Sequence, residues 1–213
     1  VYWNTVTPLL RETLEFMNED PAFRSFRLVG GTSLSLQLGH RKSEDIDMFT
    51  DADYDSIDFE AIHSYFKSRY SYVETKTVGI IGVGVSYFVG HNEDQLVKVD
   101  VYYTDPFIRP LIQEEKIRMS SLEDIIAMKL DIIGRRGRKK DFWDLHELQT
   151  YFEIPSMLDL YSERYPYGHT SSEVRAGLVN FSAADDDFDP ICLLGKHWEL
   201  IKLDFTRWLQ GVQ

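Results

Sequence analysis

Residues 28–49 read LVGGTSLSLQLGHRKSEDIDMF. A short apolar run, Phe26 to Val29, stops at Gly30-Gly31, as a strand entering a tight turn does. Thr32 to Leu38 then reads as a short helix, 39–43 as a polar loop, and 44–50 as a strand in which Asp45 and Asp47 alternate with Ile46 and Met48. Strand side chains alternate faces, so both carboxylates point one way with the apolar pair behind them. Carboxylates two residues apart on one face lie roughly 6–7 Å apart along the backbone and repel unless a cation intervenes. Mg²⁺ is held by a few carboxylates together with substrate phosphates. Alone, the Asp-x-Asp is a weak signal that reads first as an exposed acidic strand end. The preceding glycine pair adds backbone amides at a helix N-terminus, which favour an anion, and Thr32 and Ser33 add hydroxyls there.

A third carboxylate comes from Val97-Lys98-Val99-Asp100-Val101, where the valines share one face and Asp100 lies on the other. Set beside strand 44–50, Asp100 completes a trio able to hold two divalent ions about 3.5–4 Å apart.

Outward from these strands, 5–18 is expected to be a helix carrying Leu9, Leu10, Leu14 and Met17, and 56–69 a second helix. Residues 71–77, 80–89 and 95–103 read as strands, the last two joined by a turn at Asn92-Glu93-Asp94. From Ser120, where Ser120-Ser121-Leu122-Glu123 has a capping-box pattern, the chain reads as helical, with further helices near 139–150, 156–164 and 196–210 and an acidic loop at 185–187. The pattern is α+β: a mixed sheet with flanking helices over residues 1–118, then a helical region over 119–213.

Two features of the helical region bear on chemistry. Lys129 falls on the apolar stripe Leu122, Ile125, Ile126 and Ile133, so it must snorkel or meet an anion; the functional reading is a phosphate contact. Arg135, Arg136, Arg138, Lys139 and Lys140 form a dense basic cluster in a chain of net charge −12, followed by Asp141 and Asp144 on one helix face. That cluster suits a triphosphate or a nucleic-acid backbone, or is a solvated connection.

Composition sets bounds. The chain has 213 residues, 43% of them hydrophobic, enough for a sizeable core. The acidity argues against a nonspecific nucleic-acid coat. A single cysteine, Cys192, excludes an internal disulfide framework and fits a reducing, cytoplasmic setting. No apolar stretch is long enough to span a membrane, and VYWNTVTPLLRETLEF lacks the features of a signal peptide. There is no CxxC, HExxH, GxSxG or Walker lysine motif, and Gly79, Gly82 and Gly84 do not form GxGxxG.

The ordered set of a glycine pair, a gap of 13 residues, Asp-Ile-Asp-Met and a later Val-Asp-Val resembles the DNA polymerase beta-like nucleotidyltransferase superfamily. The fuller strings GGTSLSLQLGHRKSEDIDMF and SLEDIIAMKLDIIGRRGRKKDFWDLHEL are similar to the AbiEii/AbiGii toxin family within it. The resemblance covers about residues 25–150. It implies metal binding by Asp45, Asp47 and Asp100, with Mg²⁺ or Mn²⁺ as cofactor. It implies a triphosphate cradle at Gly30, Gly31, Thr32 and Ser33, a phosphate-holding Lys129, a conserved acid at Asp144, and a pocket shaped by Arg41 and Ser43. The implied reaction is transfer of a nucleoside monophosphate from an NTP to an acceptor hydroxyl, with RNA such as tRNA as acceptor and a cognate antitoxin as partner. Many relatives are longer in the helical part, which leaves acceptor recognition open. The rival expectations are an antibiotic-type small-molecule nucleotidyltransferase, a non-catalytic module of the same fold, and an acidic interaction protein.

Overall fold

The alternation read at 44–50 and 95–103 is realised in two hydrogen-bonded strands at the middle of one sheet. A computed structural model describes residues 1–76 and 82–211. Its chain divides into two compact units. The first comprises Val1–Gln37, Ser43–Pro106 and Pro110–Ser120, and the second Leu38–Lys42, Phe107–Arg109 and Ser121–Gln213.

The first unit carries a seven-stranded mixed sheet among the described residues. In chain order its strands are β1 (Arg27–Leu28), β2 (Asp45–Thr50), β3 (Tyr72–Lys76), β4 (Gly84–Asn92), β5 (Gln95–Tyr103), β6 (Ile112–Glu114) and β7 (Ile117–Met119), and they lie side by side as β3-β4-β5-β2-β1-β7-β6. The β2–β5 and β1–β7 pairs are parallel and the other pairs antiparallel. Ile46, Met48, Val97, Val99, Val101, Tyr87 and Val89 are buried on one face of this sheet. They share a core with Leu10, Leu14 and Met17 of helix α1 (Pro8–Glu19), and with Ile62 and Phe66 of α3 (Phe59–Arg69). Between these two helices in sequence lies α2 (Gly30–Leu38). Each fully buried aliphatic side chain contributes about 1.5–3 kcal/mol, so the period-two and period-3.6 patterns point into the same core.

Boundaries moved for local reasons. Helix α1 starts at Pro8 rather than 5, because proline suits the first helical turn and Thr7 accepts a hydrogen bond from the Leu10 amide. Asp58 caps α3 by accepting from the Ala61 amide, so the helix begins at Phe59. The glycine pair is not a turn ahead of α2 but its first residues, Gly30 taking φ +68°. The expected strand at 80–89 runs instead over Gly84–Asn92; residues 77–81, including the start of that reading and the end of 71–77, lie outside the described residues. Asn92 Oδ1 accepts from the Asp94 and Gln95 amides at 3.0 Å each and so shapes the hairpin turn. The β6–β7 hairpin was not expected. Its turn residues, Glu115 and Lys116, hold positive φ without the glycine or asparagine that usually marks such a turn.

The second unit consists of α4 (Leu122–Arg136), α5 (Lys139–Leu148), α6 (Ile154–Arg164), α7 (Ser171–Gly177) and α8 (Trp198–Gln210). Ser121, not Ser120, caps α4, its hydroxyl accepting from the Asp124 amide at 3.1 Å. Helix α7 also escaped the sequence reading, although Thr170 and Glu173 form a reciprocal capping box at its start. Aromatic rings fill this unit's interior: Phe142 meets Phe181, Trp198 and Phe205 at centroid distances of 5.2, 5.7 and 5.8 Å. The Asp124–Arg164 ion pair, 2.7 Å long, is fully buried. No helix among the described residues is long and apolar enough to cross a membrane.

Candidate active site

Asp45, Asp47 and Asp100 are brought together by strand register. In the parallel β2–β5 pair, Asp47 stands opposite Asp100 and Asp45 opposite Lys98. On the far side of β5, Ser86 and Phe88 of β4 face Asp100 and Lys98. The inward valines and Ile46 and Met48 anchor both strands, so the charged residues share the other face. Neighbouring strands lie about 4.8 Å apart, which sets the backbone spacing between Asp47 and Asp100.

Gly30 closes one side of this group. A Cβ at Gly30 would lie 2.6 Å from Asp47 Oδ2, and the residue's φ of +68° is one that side-chain-bearing residues rarely adopt. The Val29 amide donates to the Asp47 carbonyl at 2.8 Å, which fixes the glycine against β2. The N-terminus of α2, with its partial positive charge, therefore begins beside the Asp47 carboxylate.

Thr32 and Ser33 are buried, and their hydroxyls work within the fold. Thr32 Oγ1 donates to the Asp45 carbonyl and lies 2.8 Å from Ser43 Oγ. Ser33 Oγ accepts from Gln37 Nε2 at 3.1 Å, and the same amide donates to the Ser120 carbonyl at 3.1 Å. Thr32 and Ser43 thus tie α2 to the start of β2. Gly30 and Gly31 remain half-buried beside the carboxylates.

Lys98 completes the group, and the sequence reading passed it over. Its ammonium donates to Asp100 Oδ2 at 2.5 Å. Burial works to lower the Lys98 pKa, but Asp100, and behind it Asp47 and Asp45, outweigh this and raise it. Lys98 is two residues before Asp100 on a strand, so its place on the acidic face was readable from spacing alone. The second carboxylate oxygen, Asp100 Oδ1, is buried and finds no hydrogen-bond partner among the described residues. A buried, unsatisfied carboxylate oxygen is costly and suits a hard cation. Among the described residues, however, no three His, Cys, Asp or Glu side chains converge into a preformed metal cage. The donors are of the right chemistry and share one face, but they are not drawn in around a common point.

Lys129, Asp144 and Arg41 lie in the second unit and form a separate cluster with His40 and Asp141. Arg41 Nε and Nη2 donate to the two oxygens of Asp144 at 2.6 and 2.8 Å. His40 Nε2 is 2.8 Å from Asp144 Oδ1. The Lys129 ammonium pairs with Asp141 Oδ1 at 2.7 Å and Asp144 Oδ2 at 2.8 Å. Asp141 Oδ2 also accepts from the Arg138 amide at 3.0 Å. All five side chains are buried. Burial favours neutral Asp144, yet Arg41 and Lys129 hold its pKa well below the usual carboxylate range. Burial likewise opposes the Lys129 charge, and Asp141 and Asp144 override it, leaving the pKa raised. The anion that Lys129 meets on its apolar stripe is therefore internal. In the basic segment, Arg135 pairs with Asp131 at 3.0 Å and Lys139 is buried against Asp189 at 2.9 Å, while Arg135, Arg136 and Arg138 are exposed.

The chain is similar to known proteins over most of its length. The family model described as "Nucleotidyl transferase AbiEii toxin, Type IV TA system" matches residues 14–207. An uncharacterised protein of Aquifex aeolicus (strain VF5) is 27% identical over 214 residues, covering 92% of each chain. A crystal structure from H. pylori, proposed to be a nucleotidyltransferase, superposes with a TM-score of 0.58 at 20% identity, covering 95% of this chain and 91% of that one. MenT4, a nucleotidyltransferase toxin from Mycobacterium tuberculosis H37Rv, gives a TM-score of 0.52 at 16% identity over 93% of this chain and 84% of its own. At these identities the structural likeness is one of fold.

Proposed function

The chain belongs to the AbiEii nucleotidyltransferase toxin family, and from that premise we propose that Asp45, Asp47 and Asp100 hold Mg²⁺ or Mn²⁺ for transfer of a nucleoside monophosphate from an NTP to an acceptor hydroxyl. The observation that carries this reading is the in-register placement of Asp47 opposite Asp100, with Asp45 on the same face and Gly30 against the Asp47 carboxylate. The orphaned Asp100 Oδ1 supports it.

In the transfer, the acceptor oxygen forms a bond to the α-phosphorus as the bond to the β-phosphate bridging oxygen breaks, and pyrophosphate leaves. Bound divalent cations would supply charge neutralisation at the phosphates and acidify the attacking hydroxyl. Asp100 is the candidate to receive the hydroxyl proton or to act as a ligand. The Gly30-Gly31 backbone at the start of α2 is the candidate phosphate cradle, since a helix N-terminus favours anions and glycine permits close approach. Thr32, Ser33 and Ser43 act by fixing that helix to β2. Lys129, Asp144 and Arg41 act as positioning residues that hold the second unit's interior in one arrangement. The acceptor we propose is RNA, with tRNA as the first candidate, and the protein is the toxin of a pair whose antitoxin silences it.

Three measurements test this. The melting temperature is recorded with Mg²⁺ and each NTP, for wild type and for an Asp45→Ala/Asp47→Ala variant. A ligand that binds only the folded state stabilises by about 2.7 kcal/mol at a hundredfold excess over Kd, so one NTP should raise the wild-type melting point and not the variant's. Label from the α-phosphate of that NTP should then appear on tRNA, with pyrophosphate released. Expression in a bacterium should slow growth for wild type and not for Asp47→Ala. Equal melting shifts in wild type and variant would overturn the assignment of the site.

A further inference from the structure

Lys98 is a cation in the one place where the reading above puts a metal. Its ammonium lies 2.5 Å from Asp100 Oδ2, its strand neighbour in register is Asp45, and Asp47 stands opposite Asp100. The Lys98 side chain is 36% exposed and that of Asp100 17%, so the pair is open to solvent. Three carboxylates on one sheet face require a counter-charge, and Lys98 supplies one that is covalently attached. Its ammonium meets Asp100 Oδ2, while Oδ1 has no partner among the described residues. Lysine suits a removable ion, being a compact point charge on a flexible four-carbon stem.

We propose that Lys98 is the resident counter-ion of this site, its ammonium holding the carboxylates in the metal-free protein and withdrawing when a divalent cation binds, so that Lys98 sets the metal concentration at which the site loads. The inference rests on the reading of Asp45, Asp47 and Asp100 as metal ligands. It separates Lys98 from an ordinary surface ion pair by the sign of its effect. A pair that merely stiffens the strand would help the ligands stay in place, so losing it would weaken metal binding. A competing ion would weaken metal binding by its presence, so losing it would tighten it.

The test is a Mn²⁺ titration of the nucleotide-free full chain, followed by electron paramagnetic resonance of the free ion, for wild type, Lys98→Met, Lys98→Arg and Asp47→Asn. Methionine keeps the length of the stem and removes the charge; arginine keeps the charge. Lys98→Met should bind Mn²⁺ about tenfold more tightly than wild type, while Lys98→Arg should stay within about threefold of wild type. The metal-free melting temperature of Lys98→Met should fall, and its gain on saturation with Mn²⁺ should exceed that of wild type. Equal or weaker Mn²⁺ binding by Lys98→Met, with wild type binding and Asp47→Asn impaired, would overturn the role of Lys98 and leave the metal site standing. Binding that is equal in wild type and Asp47→Asn, or absent from wild type and Lys98→Met alike, would overturn the metal-site reading and this inference with it.

Discussion

Replacing Gly30 by alanine tests the claim that this glycine exists to let the backbone reach Asp47. Two costs follow from the structure. The first is conformational, because φ +68° places an alanine in the left-handed region, at about 1–2 kcal/mol. For a chain of this size that corresponds to a fall in melting temperature of about 2–8 °C. The second cost is local. The added Cβ would sit 2.6 Å from Asp47 Oδ2, whereas ordinary contact begins at 3.4 Å, so the carboxylate must retreat by about 0.8 Å. A displacement near 1 Å at a reacting centre costs roughly a hundredfold in rate, so turnover should fall between about tenfold and a hundredfold, with Mn²⁺ affinity reduced. Gly195→Ala is the matched control, since Gly195 has φ +67° and nothing within 4 Å of its would-be Cβ. It should lose a similar amount of stability and none of the Mn²⁺ affinity or turnover. Melting curves, Mn²⁺ titration and pyrophosphate release would be measured on both. If Gly30→Ala matched Gly195→Ala in all three, the close approach to Asp47 would have no functional consequence and the reasoning would be refuted.

Other perturbations address the second unit. Asp144→Asn leaves Arg41 and Lys129 buried with half their counter-charge, and breaking such a pair costs about 3–5 kcal/mol; chemical denaturation of the variant should show a loss of that size. Asp144 also predicts an acid limb. Its pKa is lower in the folded state than in the unfolded one, so its contribution to stability is fully present above the unfolded-state value and is lost as pH falls through the folded one. Wild-type stability should therefore decline below about pH 4, and the decline should be shallower in Asp144→Asn; unfolding curves from pH 2 to 7 measure both. Asp124→Asn should cost a comparable 3–5 kcal/mol or so, because Asp124 neutralises the fully buried Arg164 and also accepts from the Ile108 and Arg109 amides at 2.9 and 3.2 Å; equilibrium denaturation with an unchanged slope would confirm a pure stability effect.

What could be read from sequence was whatever one strand or one helix decides by itself. Alternation in 45–50 and 97–101 put the acids on one face and the valines, Ile46 and Met48 on the other, because a pleated strand leaves no choice. The neighbour relation of β2 and β5 was a supposition until the structure showed it, since register between strands distant in sequence is set by tertiary packing. The β6–β7 hairpin was missed because Glu115-Lys116 adopts positive φ without the residues that favour it. Helix α7 was missed although Thr170 and Glu173 announce it. Lys129 shows a different limit. Its position on an apolar stripe leaves snorkelling or an anion, and periodicity can neither choose between them nor say whether the anion is a substrate phosphate or the chain's own Asp141 and Asp144. The pairing of Arg41 with Asp144, over a hundred residues away in sequence, had no local signal.

The two acidic clusters differ in how completely their oxygens are used, and that difference bears on which of them can take up a metal. Asp144 accepts from Arg41 twice, from His40 and from Lys129, all within 2.8 Å, with both oxygens engaged and no exposure. A cation entering there would have to displace two buried charges, Arg41 and Lys129, from oxygens that are both engaged, and breaking such a buried pair costs several kcal/mol. Asp100 has one oxygen on a half-exposed ammonium and the other on nothing the described residues provide. A cation entering there displaces one flexible side chain that can return to water, and it satisfies an oxygen that folding left unpaired. On the proposed reading, this difference in charge balance predicts that Mn²⁺ will stabilise the wild-type chain through Asp100 and not through Asp144. Asp100→Asn should abolish the Mn²⁺-dependent rise in melting temperature with little change in metal-free stability. Asp144→Asn should lower the metal-free melting temperature by about 6–20 °C and retain the rise. An Asp100→Asn protein that still gained stability from Mn²⁺ would move the metal away from β5 and remove the basis for reading this sheet face as the catalytic one.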